Sequence, residues 1–209
     1  MKISIIQGAF LPVPAIKGGA VEKIWYRMGQ EFAALGHEVV HISRAHPSLP
    51  ANEKLNGVEY KRVKGYDTPA SIIKLKWLDL LYSLRAIAEV PDNTDIIVTN
   101  TFWAPIIAPI DKKRKVFVSV ERMPKGQMRL YRQVACLRAN SYSVAAAINR
   151  EISTNRQQRV VVIPNPLPFK HLSWIEPGVK KPEILYVGRV HPEKGLELLI
   201  KAVKDLEFP

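Results

Sequence analysis

The chain has a single cysteine, Cys136, so no internal disulfide can form and nothing depends on an oxidising compartment. No apolar run is long enough to span a bilayer, and the run at residues 3–6 is too short for a secretory signal. No serine sits in a nucleophile elbow. Histidines are few and badly spaced for a metal. His37 and His41 lie on or beside a strand, about 13 Å apart, too far to share one ion. Solenoid-period repeats and low-complexity tracts are absent. What remains is an ordinary globular composition, 47% hydrophobic and 24% charged over 209 residues. A cytoplasmic, non-integral protein is the expectation.

Acidic residues are scarce in one particular place. Residues 112–159 hold 12 of the 31 lysines and arginines but only two of the 19 acids, and so carry nearly all of the +12 net charge. Such a field attracts phosphates, anionic lipid headgroups or nucleic acid, or is a solvated surface whose acidic counterpart lies elsewhere. Aromatic residues are sparse there (Phe117, Tyr131, Tyr142) and no recognition motif appears, so specific nucleic-acid binding is not expected.

Along the chain, strand and helix patterns alternate. Residues 2–7 read as a β-branched strand broken by Gly8, Pro12 and Pro14. From Gly19 a helical period runs through Val21, Ile24, Trp25, Met28 and Phe32 to Leu35 and stops at Gly36. Residues 38–43 and 57–63 read as strands. The period Ala70, Ile73, Trp77, Leu81, Leu84, Ala88 predicts a helix that packs its apolar stripe on the sheet. Its residues Lys74, Lys76, Trp77, Tyr82 and Arg85 also suit a membrane interface, with the aromatics at headgroup level. Residues 95–99 and 115–120 read as central parallel strands. Residues 127–137 have a helical period, residues 141–147 read as a strand leading into a short helix to about residue 154, and residues 159–163 as another strand. Pro164, Pro166, Pro168 and Pro177 mark a linker, after which residues 183–187 form a strand and residues 196–206 a helix. The pattern predicts a doubly wound, Rossmann-like α/β sheet over residues 1–165, a linker over 166–182, and the first strand and helix of a second such domain over 183–209.

Two loops carry the chemistry. Gly18 and Gly19 open directly into a helix, where backbone N–H groups and the helix dipole favour a phosphate. They also read simply as glycines that shape a loop. After residue 187, Gly188, Arg189 and Lys194 place two cations in one strand-to-helix loop, suited to a diphosphate at the carboxyl edge of a sheet. A solvated basic loop is the competing reading.

The run Gly188-Arg189 to Pro192-Glu193-Lys194-Gly195, followed by Leu199-Ile200 and Ala202, resembles the opening of the donor domain in retaining GT-B glycosyltransferases. The Gly18-Gly19 loop, the turn Leu35-Gly36-His37-Glu38-Val39 and the segment Val162-Ile163-Pro164-Asn165 resemble the same family in order and spacing. The resemblance implies transfer of a sugar, with retention, from a nucleotide-sugar to a saccharide or lipid-linked acceptor, without a metal or other cofactor. It implies that Arg189 and Lys194 hold the donor diphosphate beside the Gly18-Gly19 backbone and act as the catalytic cations. Departures fall on the acceptor side. Pro166 and Pro168 replace the family's glycine and aspartate, the histidine expected after Val120 is missing, and alanine (Ala146 or Ala147) stands for a helix-opening serine. Glu121 and Arg122 are then the acceptor candidates, unless Glu121 is a surface residue paired with Arg122 or Lys125.

The family's donor domain continues well past residue 209, so this chain alone is expected to be inactive, or to act as a partner-binding module or split subunit. Residues 166–209 are expected to dimerise or swap, and the basic stretch to touch an anionic membrane peripherally at the inner face.

Overall fold

The computed structural model describes residues 1–152, 159–167, 178, 183–188 and 190–204, in two units that divide at residue 168. The first unit contains one eight-stranded sheet. In chain order its strands are β1 Lys2–Ile6, β2 Glu38–Arg44, β3 Asn52–Leu55, β4 Val58–Val63, β5 Ile96–Thr99, β6 Val116–Val120, β7 Cys136–Ala139 and β8 Val160–Val162. Across the sheet the order is β3-β4-β2-β1-β5-β6-β7-β8, parallel throughout except for the β3–β4 hairpin. This is the Rossmann-like α/β sheet that the alternating pattern predicts.

Right-handed crossovers decide which face each helix covers. Helix α1 (Ala20–Ala34) links β1 to β2 and packs Trp25, with Val21, Met28 and Phe32, on Ile3, Ile5 and Val39. Gly29 lets it approach closely: a Cβ there would touch Ile5, Val39 and His41 at ordinary contact distance. The later connections run the other way across the sheet and cover the opposite face. They are α2 (Ile72–Ala88), α3 (Ala104–Ile107), α4 (Ile110–Lys113), a 3₁₀ turn at Gln127–Leu130, and α5 (Tyr142–Glu151). Tyr82, Ala86, Ala104, Met128, Val144 and Ile148 form a second core there with Ile6, Ile42, Val118 and Leu137. Among the described residues of the first unit, no helix covers the α1 face of β5 to β8. A cavity of about 440 Å³ opens beside α1 over Ile96, Val98, Phe117, Cys136 and Val161.

Several expectations are corrected. Residues 127–137 do not form a helix: the 3₁₀ turn ends at Leu130, and Cys136 begins a strand. All four residues of β7 are buried between β6 and β8, so the strand shows no polar–apolar alternation to announce it. Residues 141–147 are not a strand. Ser141 accepts a hydrogen bond from the Val144 N–H and opens α5, so a serine, not an alanine, starts this helix. Strand β3 escaped the sequence reading because Asn52, Glu53 and Lys54 are polar. The signal was the dipeptide Asn56-Gly57, both with positive φ (51° and 79°), which makes the hairpin turn.

The largest correction concerns α2. The stripe read as core-facing points to solvent: Ile73 is 73% exposed, Trp77 63%, Leu81 40% and Leu84 52%. The helix buries Asp79, Tyr82, Ser83 and Ala86 instead. Asp79 accepts the Phe102 N–H at 3.2 Å, and the Trp103 indole N–H donates to the Lys76 carbonyl at 2.8 Å. These polar ties to the chain after β5 fix which side of α2 turns inward.

In the second unit, residues 183–187 run as irregular chain, not as the expected strand. A 3₁₀ turn at Pro192–Lys194 passes through Gly195 (φ 66°) into α6, Leu196–Val203. Most of the expected linker lies outside the described residues.

Candidate functional site

The strand order reverses its sense between β1 and β5: the chain leaves β1 toward β2 on one side and returns to β5 on the other. In open α/β sheets the crevice outside the carboxyl ends of such strands is where ligands bind, because the flanking loops diverge there. Gln7 and Gly8 follow β1, Asn100 follows β5, and Glu121 and Arg122 follow β6. Gly18 and Gly19 bring the start of α1 to the same edge.

Gly18 (φ 81°) and Gly19 (φ 104°) hold conformations that side chains rarely adopt. A Cβ on Gly19 would collide with the Glu22 carboxylate, which folds back over the first turn of α1. Glu22 is buried (8% exposed), and burial raises its pKa against the opposing pull of its own backbone N–H, the Gln7 amide and Arg122. The Gln7 amide lies against this carboxylate, yet it is fully buried and neither of its polar atoms has a well-aligned hydrogen bond. The Asn100 side-chain oxygen, facing Gly8, is likewise unpartnered. Unsatisfied buried amides at a sheet edge are sites where a hydroxyl or water can be received. The Gly18-Gly19 turn thus carries a carboxylate of its own at the helix N-terminus, a position that an incoming phosphate would contest.

A Gly19→Ala substitution should cost about 2–3 kcal/mol of stability, since the methyl group meets both a strained φ and the Glu22 carboxylate. Gly18→Ala, with open space around its Cβ, should cost only about 1 kcal/mol. Urea unfolding of the two variants checks this, and equal losses would contradict the crowding at Gly19.

The second half of the edge is an ion-pair network. Ser119 and Arg138 are register partners on β6 and β7, so their side chains share a face, and Glu121 follows on the same side of β6. Arg138 donates to Ser119 Oγ at 2.9 Å, to Glu121 Oε1 at 2.8 Å and to Asn165 Oδ1 at 2.6 Å. Asn165 returns a bond to Glu121 Oε2 at 3.0 Å, and Asn140 donates to the Glu121 carbonyl at 3.1 Å. The Glu121 and Arg138 side chains are each only 10% exposed. Glu121 is therefore not a surface residue paired with Arg122 or Lys125. Arg138, read from sequence as part of the basic surface, is a buried structural cation. Asn165 and Arg138 were missed as site residues because only strand pairing brings positions 119, 121, 138 and 165 together.

Arg122 is exposed, and its charge reaches Glu22, so one acceptor candidate faces the Gly18-Gly19 turn. The loop behind that turn is tied down: Arg44 donates to the Phe10 carbonyl at 2.7 Å and to Asp67 at 2.8 Å, and Lys17 reaches Asp67 at 3.2 Å. Those two cations, Arg44 first, hold the Asp67 carboxyl below its ordinary range. Of the expected donor-phosphate residues, Lys194 is exposed in the second unit, where its N–H bonds the His191 carbonyl at 2.9 Å. Arg189 lies outside the described residues.

No family model matches the chain. It is similar to spore coat protein SA of Bacillus subtilis (strain 168), with 22% identity over 99% of this chain and 57% of that protein. Among solved structures it resembles a sucrose-phosphate synthase of Thermosynechococcus elongatus, with a TM-score of 0.58 and 16% identity over 78% of this chain and 48% of that one. The chain thus spans about half the length of the proteins it matches. At this identity the structural match shows the fold, a mostly parallel α/β sheet with flanking helices.

Proposed function

We propose that this chain is the acceptor-side part of a glycosyltransferase that moves a sugar, with retention, from a nucleotide-sugar to a saccharide or lipid-linked hydroxyl. The observation that carries the reading is the polar edge at the β1/β5 switch point, where Gln7, Glu22 and Arg122 gather at the Gly18-Gly19 turn and the Asn100 side chain faces Gly8. Similarity to a protein named sucrose-phosphate synthase supports the same class. The Gln7 amide, poorly aligned on Glu22, and the unpartnered Asn100 side-chain oxygen suit an acceptor hydroxyl. Glu121, locked by Arg138 and Asn165, shapes the rim and holds it rigid. On this reading Arg189 and Lys194 stabilise the departing diphosphate electrostatically, and no metal or cofactor takes part. The acceptor oxygen attacks the face from which the diphosphate leaves.

Calorimetric titration of the chain with UDP, GDP and ADP and their sugar conjugates tests this. One nucleotide should bind, and Arg189→Ala or Lys194→Ala should weaken it roughly tenfold or more, the loss expected for one charge-assisted contact. Binding unchanged in both variants would reject the diphosphate assignment. Absence of binding by the whole chain would favour a non-catalytic, partner-binding module.

A further inference from the structure

Helix α2 presents its apolar stripe to solvent along its whole length. Ile73, Trp77, Leu81 and Leu84 follow one another at steps of four, four and three, which places them on one face. Ile72, 75% exposed, extends the stripe at the N-terminal end. The sheet does not need this face, because Tyr82, Ser83 and Ala86 already fill the interface. An apolar stripe of this size, open to water on a 17-residue helix, marks a surface that docks.

Its surroundings are cationic. Lys74 is exposed beside the stripe, and the Lys76 ammonium sits 3.1 Å from the centre of the Phe102 ring. Phe102 in turn packs edge-on against Tyr131, at 6.4 Å between ring centres. Tyr131 belongs to the β6–β7 connection, where Lys125 and Arg132 are exposed and Leu130 is 46% exposed. Between Glu121 and Glu151 the chain has no acidic residue. The dense positive charge of residues 112–159 is thus joined through two rings to the N-terminal half of the exposed stripe.

We infer that this face lies flat on an anionic phospholipid surface, with Trp77 and Ile73 at headgroup depth and the surrounding lysines and arginines on the lipid phosphates. Among the described residues no helix is long and apolar enough to cross a membrane, so the docking is interfacial. A protein partner with an acidic rim would meet the same stripe, but an exposed helix face flanked at its N-terminal half by lysines and arginines matches an anionic lipid plane better. Because α2 begins at the carboxyl edge of the sheet, the docked face borders the edge that carries Arg122. This docking stands whether or not the transferase reading does.

The test is co-sedimentation of the whole chain with vesicles of phosphatidylcholine containing about 30% phosphatidylglycerol, read with and without added salt. Saturable binding is expected, weakened roughly tenfold or more by Trp77→Asp or Ile73→Asp and several-fold by Lys74→Gln combined with Arg132→Gln. All four positions are exposed, so the urea midpoints of these variants should match the parent and exclude misfolding as the cause. A blue shift of tryptophan emission on vesicle addition, lost in Trp77→Asp, would place that ring in the lipid. Three outcomes would overturn the inference. They are no binding to the anionic vesicles, binding that Trp77→Asp leaves unchanged, and lipid-free self-association that Trp77→Asp disperses. The last would give the face to a second copy of the chain.

Discussion

Lowering the pH from neutral toward 3 is expected to remove on the order of 5 kcal/mol of folding stability through His41 alone. His41 lies in β2 between Ile5 and Tyr60, fully buried, stacked on the Tyr60 ring at 5.6 Å, with neither ring nitrogen hydrogen-bonded. Burial, and then repulsion from the nearby Arg62 guanidinium, pushes its pKa down to about 3 from an ordinary 6.5. Between those values the unfolded chain binds a proton that the folded chain refuses. The His41 contribution is therefore intact above pH 6.5 and is lost steadily as the pH drops toward 3.

Asp79 pulls the other way. Burial raises its carboxyl to about 6 from 3.8, so its folded-state advantage belongs to low pH and disappears as pH rises through that window, about 3 kcal/mol in all. The histidine effect is the larger and extends to higher pH, so the net slope between pH 6.5 and 6 should be that of His41. Urea unfolding of the parent and of His41→Leu at several pH values measures it. The variant should lose the acid slope and be no less stable at neutral pH, since two unpartnered polar atoms leave the core. An unchanged slope in His41→Leu would show that the acid sensitivity arises elsewhere.

Replacing Arg138 with leucine should cost about 3–5 kcal/mol, because it leaves the Glu121 carboxylate enclosed without its cation. Arg138 also satisfies Ser119 and Asn165, so one substitution strips three acceptors at once. The double variant Glu121→Leu with Arg138→Leu should recover much of that loss, since the cost of the single change lies mostly in the stranded charge. Chemical denaturation of the two single variants and the double one measures the coupling. A double variant as unstable as the sum of the singles would mean that the pair acts through separate contacts. Loss of the rim should also loosen Asn165, which links β8 to this network.

How much of this was legible beforehand varied with the kind of signal. Strands β1, β2, β4, β5, β6 and β8 stood out as β-branched runs, and α1 as a clean helical period, because each meets the sheet in the way its own pattern dictates. β7 was hidden by burial on both sides, and β3 by its polar edge position. The Gly18-Gly19 turn was visible as a glycine pair, but Glu22 over Gly19 and the Gln7 amide beside it were not. Both depend on how the loop folds back onto the first turn of the helix. Asn165, 44 residues from Glu121, bonds to it only because β8 reaches the same sheet edge.

By itself, the sequence determined the class of the fold, the order of most elements and the concentration of positive charge in residues 112–159, since these follow from local pattern and composition. It could not determine which way α2 turns. Apolar residues such as Leu75, Leu78 and Leu80 occur on other sides of the helix as well as in the stripe. The choice fell to long-range contacts: Asp79 with the chain after β5, and Tyr82 and Ala86 in the core. The same holds for Arg138, exposed by composition but buried by strand register. Tertiary structure alone set these orientations, because a side chain's surroundings depend on what distant strands and loops bring to it.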